Sequence, residues 1–243
     1  MVIWPFAPPS PFSWQQQLTA AFYSFATSPI VTVLVGAKRK VYSFHKDLLV
    51  KRCPFFEKCL KDSYKEGREN QVYLAEESPA VFDRFATFIY HNRIDEIVTF
   101  PDNSLAVRAF ALADKFCMPR FQNALIDAIA CFHKEHTVFV PDLDFINDHV
   151  LLNSKIKAFL IDQLIYDIVR SNDIDQTDLT GKEVSRIIRG GGDLATEIFW
   201  AVGNIARRND WPSHWRNRCN YHNHETDDKR ECYRKREGAE DSD

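Results

Sequence analysis

The sequence predicts an α+β fold, a short three-stranded sheet with flanking α-helices, followed by an all-helical extension. Three observations carry that reading. A β-branched run, IVTVLV at residues 30–35, ends at Gly36 and turns through GAKR into a second strand-like run, KVYSF. Ser78-Pro79 opens a helix, Ser as its cap and Pro in its first turn, in which Val81, Phe82, Phe85, Phe88 and Ile89 share one face. Past about residue 137 the strand signal stops, and apolar residues recur at helical spacing.

The elements follow in order. Residues 1–18 read as a Pro-rich flexible leader. The first strand is apolar throughout and suits a strand covered on both sides. HKDLLVKR starts a short helix, and Pro54 fits the first turn of the next, PFFEKCLKDSY. Val72 and Leu74 alternate with polar neighbours, as in a third strand. One later helix carries Leu105, Ala109, Leu112 and Ala113, and another carries Phe121, Leu125, Ile126 and Ile129, with a break at Met118-Pro119. This places one domain at residues 19–133.

A helical extension at 137–209 follows. HTVFVPDLDFINDHV reads as a mixed, loop-like connection. SKIKAFLIDQLIYDIVRSN then aligns Ile156, Phe159, Leu160, Leu164, Ile165 and Ile168 on one helical face. In DLATEIFWAVGNIARR, Ile198, Phe199 and Val202 are expected to pack back. Gly190, Gly191 and Gly192 have no strand before them and no Lys-Ser/Thr after them, so they read as a helix–helix joint and not as a phosphate loop. Residues 210–243 read as a charged, disordered tail.

Composition excludes several function classes. A hydrophobic content of 45% with 19 Phe supports a real, strongly aromatic core. A net charge of −3, from 31 basic and 34 acidic residues, gives no global attraction to nucleic acid or anionic membrane. The N-terminus has no basic residue ahead of its apolar stretch and four prolines within it, which argues against a secretory signal or transit peptide. Of six scattered cysteines, four sit inside apolar patterns, which suits the reducing cytoplasm or nucleus. No cofactor is expected.

The order of landmarks across residues 28–133 resembles the BTB/POZ domain: strand IVTVLV, the FHKDLL segment with His45, the CPFF turn, strand VYL, the helix ending FIYHNRI, and the hairpin ALADKFCMPRFQNALIDAI. The SPIVTVLVG opening and the SKIKAFLIDQLIYDI helix also resemble the largely uncharacterised BTB-domain proteins of filamentous fungi. The resemblance implies a BTB/POZ fold and a non-enzymatic protein–protein interaction module. Such domains dimerise, and many dock a cullin scaffold to build a ubiquitin ligase.

The resemblance also directs attention to particular residues. Cullin-binding members often carry a hydrophobic–any–acidic triplet after the helix that follows the Pro-Phe turn, and Tyr64-Lys65-Glu66 stands there. Tyr64 suits a buried anchor and Glu66 a charge that fixes register; the alternative is a solvated loop whose Tyr packs on its own domain. Ile30 occupies the place of an acidic residue that usually supports the family's swapped dimer; this departure argues against that dimer, and an apolar residue there equally suits a different, hydrophobic interface. Phe22 and Phe25, on AAFYSFATS, suit either a partner surface or the domain's own core. His45 begins a helix and is structural in the family. It has no Ser or Cys beside it in a nucleophile context.

The tail offers Cys219, His222, His224 and Cys232, the right number and kind of ligands for tetrahedral zinc. Their spacing matches no known finger, and an unstructured tail is the competing reading. The preferred expectation is a substrate adaptor for a cullin-based ubiquitin ligase, partnered by a cullin and by itself. The alternative is a self-associating scaffold, of the kind used in transcriptional control, without a cullin. A zinc-stabilised nucleic-acid binder is a third class.

Overall fold

A computed structural model describes residues 27–94, 99–151, 154–170, 179–208 and 218–224. The chain divides into two compact units, Met1–Pro79 and Ala80–Asp243.

The first unit is built on a three-stranded sheet of order β2-β1-β3, with β1 Ile30–Val35, β2 Lys40–His45 and β3 Gln71–Leu74. β1 runs antiparallel to β2, opposing Val33 to Tyr42, and parallel to β3, opposing Val33 to Val72. A parallel neighbour requires a crossover. Three short helices provide it: α1 Lys46–Arg52, α2 Pro54–Cys59 and α3 Lys65–Glu69. Pro54 stands in the first turn of α2, where its missing N–H is not needed. That helix ends at Cys59, short of the expected DSY.

Burial corrects one expectation about β1. Val31, Val33 and Val35 are fully buried, whereas Thr32 and Leu34 are only half-buried. A uniformly apolar strand cannot announce which face is covered, because the alternation that would mark it is missing from the sequence. β3 shows the predicted alternation, with Val72 and Leu74 inward.

The second unit is helical. Val81, Phe82, Phe85, Phe88 and Ile89 are all buried on α4 (Pro79–His91). Phe85 meets Phe116 and Phe121 edge-on, and Phe88 stacks on Phe121 at 4.7 Å. α5 (Phe100–Lys115) begins at Thr99, whose hydroxyl donates to Asp102 Oδ2, and Arg84 binds Asp102 across the helix pair at 2.6 Å. The turn into α6 (Pro119–Phe132) is a Schellman closure: Cys117 N–H donates to Asp114 O and Met118 N–H to Ala113 O. Cys117 takes the left-handed position, φ 55°.

The expected loop after residue 137 contains a helix, α7 (Val140–His149). Pro141 in its first turn, Asp142 beside it, and Val140, Leu143 and Ile146 at helical spacing are its signals. Asp142 is almost fully buried and accepts from Ser104 Oγ at 2.8 Å and from Arg108 and Asn103. Burial nevertheless holds its carboxyl above the usual range. These bonds fasten α7 to α5.

On α8 (Lys155–Arg170), Ile156, Phe159, Leu160, Leu164 and Ile165 are buried as expected, while Ile168 is exposed. The same helix buries polar groups as well. Asp167 accepts from Val138 N–H and Gln163 Nε2, and burial pushes its carboxyl up to about 6. α9 (Leu179–Gly190) and α10 (Gly192–Arg208) meet at the expected glycine joint, where Gly191 and Gly192 have φ of 67° and 86°.

Packing on α10 differs from expectation. Ile198 is buried with Leu194 and Ile205, but Phe199 is 70% exposed and Val202 and Trp200 about half exposed. At 3.6 residues per turn, Leu194, Ile198 and Ile205 lie within about 40° of one another, whereas Phe199 stands about 140° round from Leu194.

Candidate functional site

Tyr64 and Glu66 lie on the crossover between α2 and β3. Leu60 closes α2, the chain turns with Tyr64 N–H donating to Lys61 O at 2.9 Å, and Tyr64 becomes the residue that precedes α3. Arg68 donates to the carbonyls of Asp62 and Ser63, pinning the turn from below. Asn70, left-handed at φ 47°, ends α3 and accepts at its carbonyl from Thr32 N–H, joining the turn to β1. Tyr64 is 55% exposed and Glu66 is exposed too. Tyr64 thus stands exposed just before α3 and Glu66 exposed within it. Beside them the Cys59 thiol is pushed up to about 11, first by burial and then by the Glu66 charge.

Gly67 was not singled out by the sequence, yet it sets this geometry. It is buried, and a Cβ there would stand 2.1 Å from the Lys61 carbonyl oxygen and 2.7 Å from that of Leu60. Both obstacles are backbone, so they cannot swing aside. Gly67→Ala is expected to destabilise the protein by about 1–3 kcal/mol, read as a lowered urea midpoint. A midpoint equal to that of the parent protein would show that the turn relaxes without cost.

Ile30 opens β1 opposite His45 and is 50% exposed. Phe22 and Phe25, the leader and Cys232 lie outside the described residues. His45 sits at the junction of β2 and α1. Cys53 is fully buried, as a small hydrophobe would be, whereas Cys117 and Cys131 are exposed despite their apolar surroundings. Among the described residues, Cys53, Cys59, Cys117, Cys131 and Cys219 stand outside any disulfide, and no helix is long and apolar enough to cross a membrane.

The stretch read as disordered tail includes a docked segment at residues 218–224. A 3-10 turn, Arg218–Tyr221, rests on α6 and α8. Asn123 and Asn223 bond reciprocally: Asn123 Nδ2 donates to Asn223 O at 2.9 Å, and Asn223 N–H donates to Asn123 Oδ1 at 2.8 Å. Asn223 Nδ2 donates to Gln122 Oε1. Tyr221 packs edge-on against Phe159 and donates its hydroxyl to Asp162 at 2.6 Å, and burial pushes both groups up. This docking brings Cys219, His222 and His224 together, one ligand atom of each within 4.8 Å of the others.

Residues 26–130 match the family model of the BTB/POZ domain. No curated protein matches the chain. The crossover-linked sheet, the aromatic helices after it and this match agree, so the chain carries a BTB/POZ domain, a protein-interaction module, with further helices beyond it.

Proposed function

We propose that the protein is a substrate adaptor for a cullin-based ubiquitin ligase, docking the cullin through Tyr64 and Glu66. The observation that supports this most is the exposure of Tyr64 on a turn braced from several sides. An aromatic side chain so held gives up little conformational freedom on binding, and tyrosine is enriched among interface anchors. Glu66, two residues on, adds a charge that steers a basic partner. The domain contributes no chemistry of its own in this role.

A second reading, a self-associating scaffold, draws on a different observation. Ile30 is half exposed at the start of β1, and Val41 is exposed on β2, an edge strand of the described sheet. An exposed apolar side chain on an edge strand, with Ile30 exposed on the neighbouring central strand, suits pairing with a second copy.

Light scattering on the chain, alone and mixed with the N-terminal region of the cognate cullin, separates the two. The adaptor is expected to show a mass shift with the cullin that Tyr64→Ala weakens by roughly tenfold or more, the scale of an interface hot spot. A chain that self-associates and gives no shift with the cullin overturns the adaptor reading in favour of the scaffold.

A further inference from the structure

We propose that Cys219, His222 and His224 form a zinc site that staples the C-terminal segment to α6, the helix that closes the BTB/POZ domain. Cys219 Sγ stands 3.1 Å from His224 Nε2, and one donor atom of each of the three residues falls within 4.8 Å of the others. Zinc binds thiolate at ~2.3 Å and imidazole at ~2.0–2.1 Å, so donors sharing one ion lie roughly 3–4 Å apart. The Cys219–His224 distance is already of that order, and a donor of His222 lies within 4.8 Å of both.

The donor set selects the metal. A thiolate with two imidazoles is soft to borderline, which suits zinc and disfavours magnesium and calcium, whose ligands are oxygens. Cys219 and His222 are buried and His224 half-buried. The three donors therefore converge out of bulk water, where a cation strengthens each interaction.

Two features beyond the triplet support a built site. The first is the anchoring of the turn. Asn123 and Gln122 on α6 hold Asn223, the residue between the two histidines, and Asp162 on α8 holds Tyr221, so the donors are fixed before any ion arrives. The second is Asp127 on α6, whose Oδ1 lies 3.2 Å from His222 Nε2. Metal-bound histidines commonly donate their second ring nitrogen to a carboxylate, which fixes the ring and raises its basicity. Here Asp127 stands within carboxylate reach of the His222 ring and is placed to orient it. Three protein donors leave the fourth tetrahedral position for solvent or a further donor.

The site has a structural role. The segment at 218–224 follows the helical extension, and zinc would tie it back to the interaction domain independently of whether a cullin is bound. The test is metal analysis of the full chain, purified without a polyhistidine tag, followed by titration of the chelator-stripped chain with zinc and with Co2+. The expected result is one zinc per chain, and a Co2+ complex with thiolate charge-transfer absorption and the strong visible bands of tetrahedral cobalt. Cys219→Ser is expected to abolish the charge-transfer band. Asp127→Asn is expected to lower zinc affinity by roughly 10–100-fold while keeping that band. The proposal is overturned if stripped wild-type chain takes up no zinc at micromolar metal, or if wild type and Cys219→Ser retain equal zinc. The wild-type titration alone decides the matter if a variant fails to fold.

Discussion

Phe121→Ala is expected to cost about 3–5 kcal/mol of folding stability, as for other buried Phe truncations. The side chain is fully buried at the start of α6 and is the meeting point of an aromatic cluster. Phe88 stacks on it with centroids 4.7 Å apart, and Phe85 approaches edge-on at 6.3 Å. Phe85 in turn contacts Phe82 at 4.9 Å and Phe116 at 5.3 Å. Alanine would remove the lost ring's burial and both aromatic contacts, each of the latter worth about 0.5–1.5 kcal/mol. Rigid, rotamer-bound neighbours close only part of the void. Against a typical total of about 5–15 kcal/mol, the loss removes a large share of stability. Phe199→Ala provides the contrast: 70% exposed, it is expected to change stability by no more than about 0.5 kcal/mol. Urea denaturation of both variants checks the pair, and comparable losses at the two positions would contradict the burial assignment.

That contrast also shows what the sequence could and could not say. Phe82, Phe85, Phe88, Phe121, Leu125 and Ile129 were legible as core because they repeat at helical spacing within helices whose starts are marked by Pro79 and Pro119. The sheet was legible because β-branched runs bounded by a glycine turn leave few alternatives. Phe199 was misread because apolar residues on α10 occupy more than half its circumference, and periodicity cannot say which arc a neighbour covers. α7 was missed because Asp142, Asp144 and Asp148 dilute its apolar pattern, although Asp142 turns out to be buried and paired.

The Cys–His cluster was legible as a ligand inventory but not as a place. Cys219, His222 and His224 are close in sequence, yet what brings them into register is Asn123, a hundred residues away. Nothing local in a charged segment announces such a partner. Tyr64 and Glu66 were singled out through the resemblance alone. The residue that shapes their turn, Gly67, follows directly in the sequence and is identifiable only once the Lys61 carbonyl is seen beside it.

The second large effect is expected in the helical extension, from Glu197→Ala. Lys157 on α8 is only 1% exposed, and its Nζ donates to Glu197 Oε1 on α10 at 2.7 Å. A buried ammonium is tolerated because this carboxylate faces it. Removing the carboxylate leaves the charge without that partner, a change worth about 3–5 kcal/mol for buried pairs. Glu197 keeps 32% of its side chain in water, so solvent screens part of the interaction and the expected loss lies near the lower end, roughly 3 kcal/mol. The asymmetric partner experiment is Lys157→Met, which removes the charge that is costly to bury while keeping an unbranched chain of similar length. It is expected to be neutral or stabilising in combination with Glu197→Ala, because the double variant has no charge left to desolvate. A double-mutant cycle read by urea midpoints checks this, and additive losses would mean that the two side chains do not interact. A positive coupling would show that the Lys157–Glu197 pair contributes to holding α10 against α8. The apolar residues of α10 at 199, 200 and 202 face water.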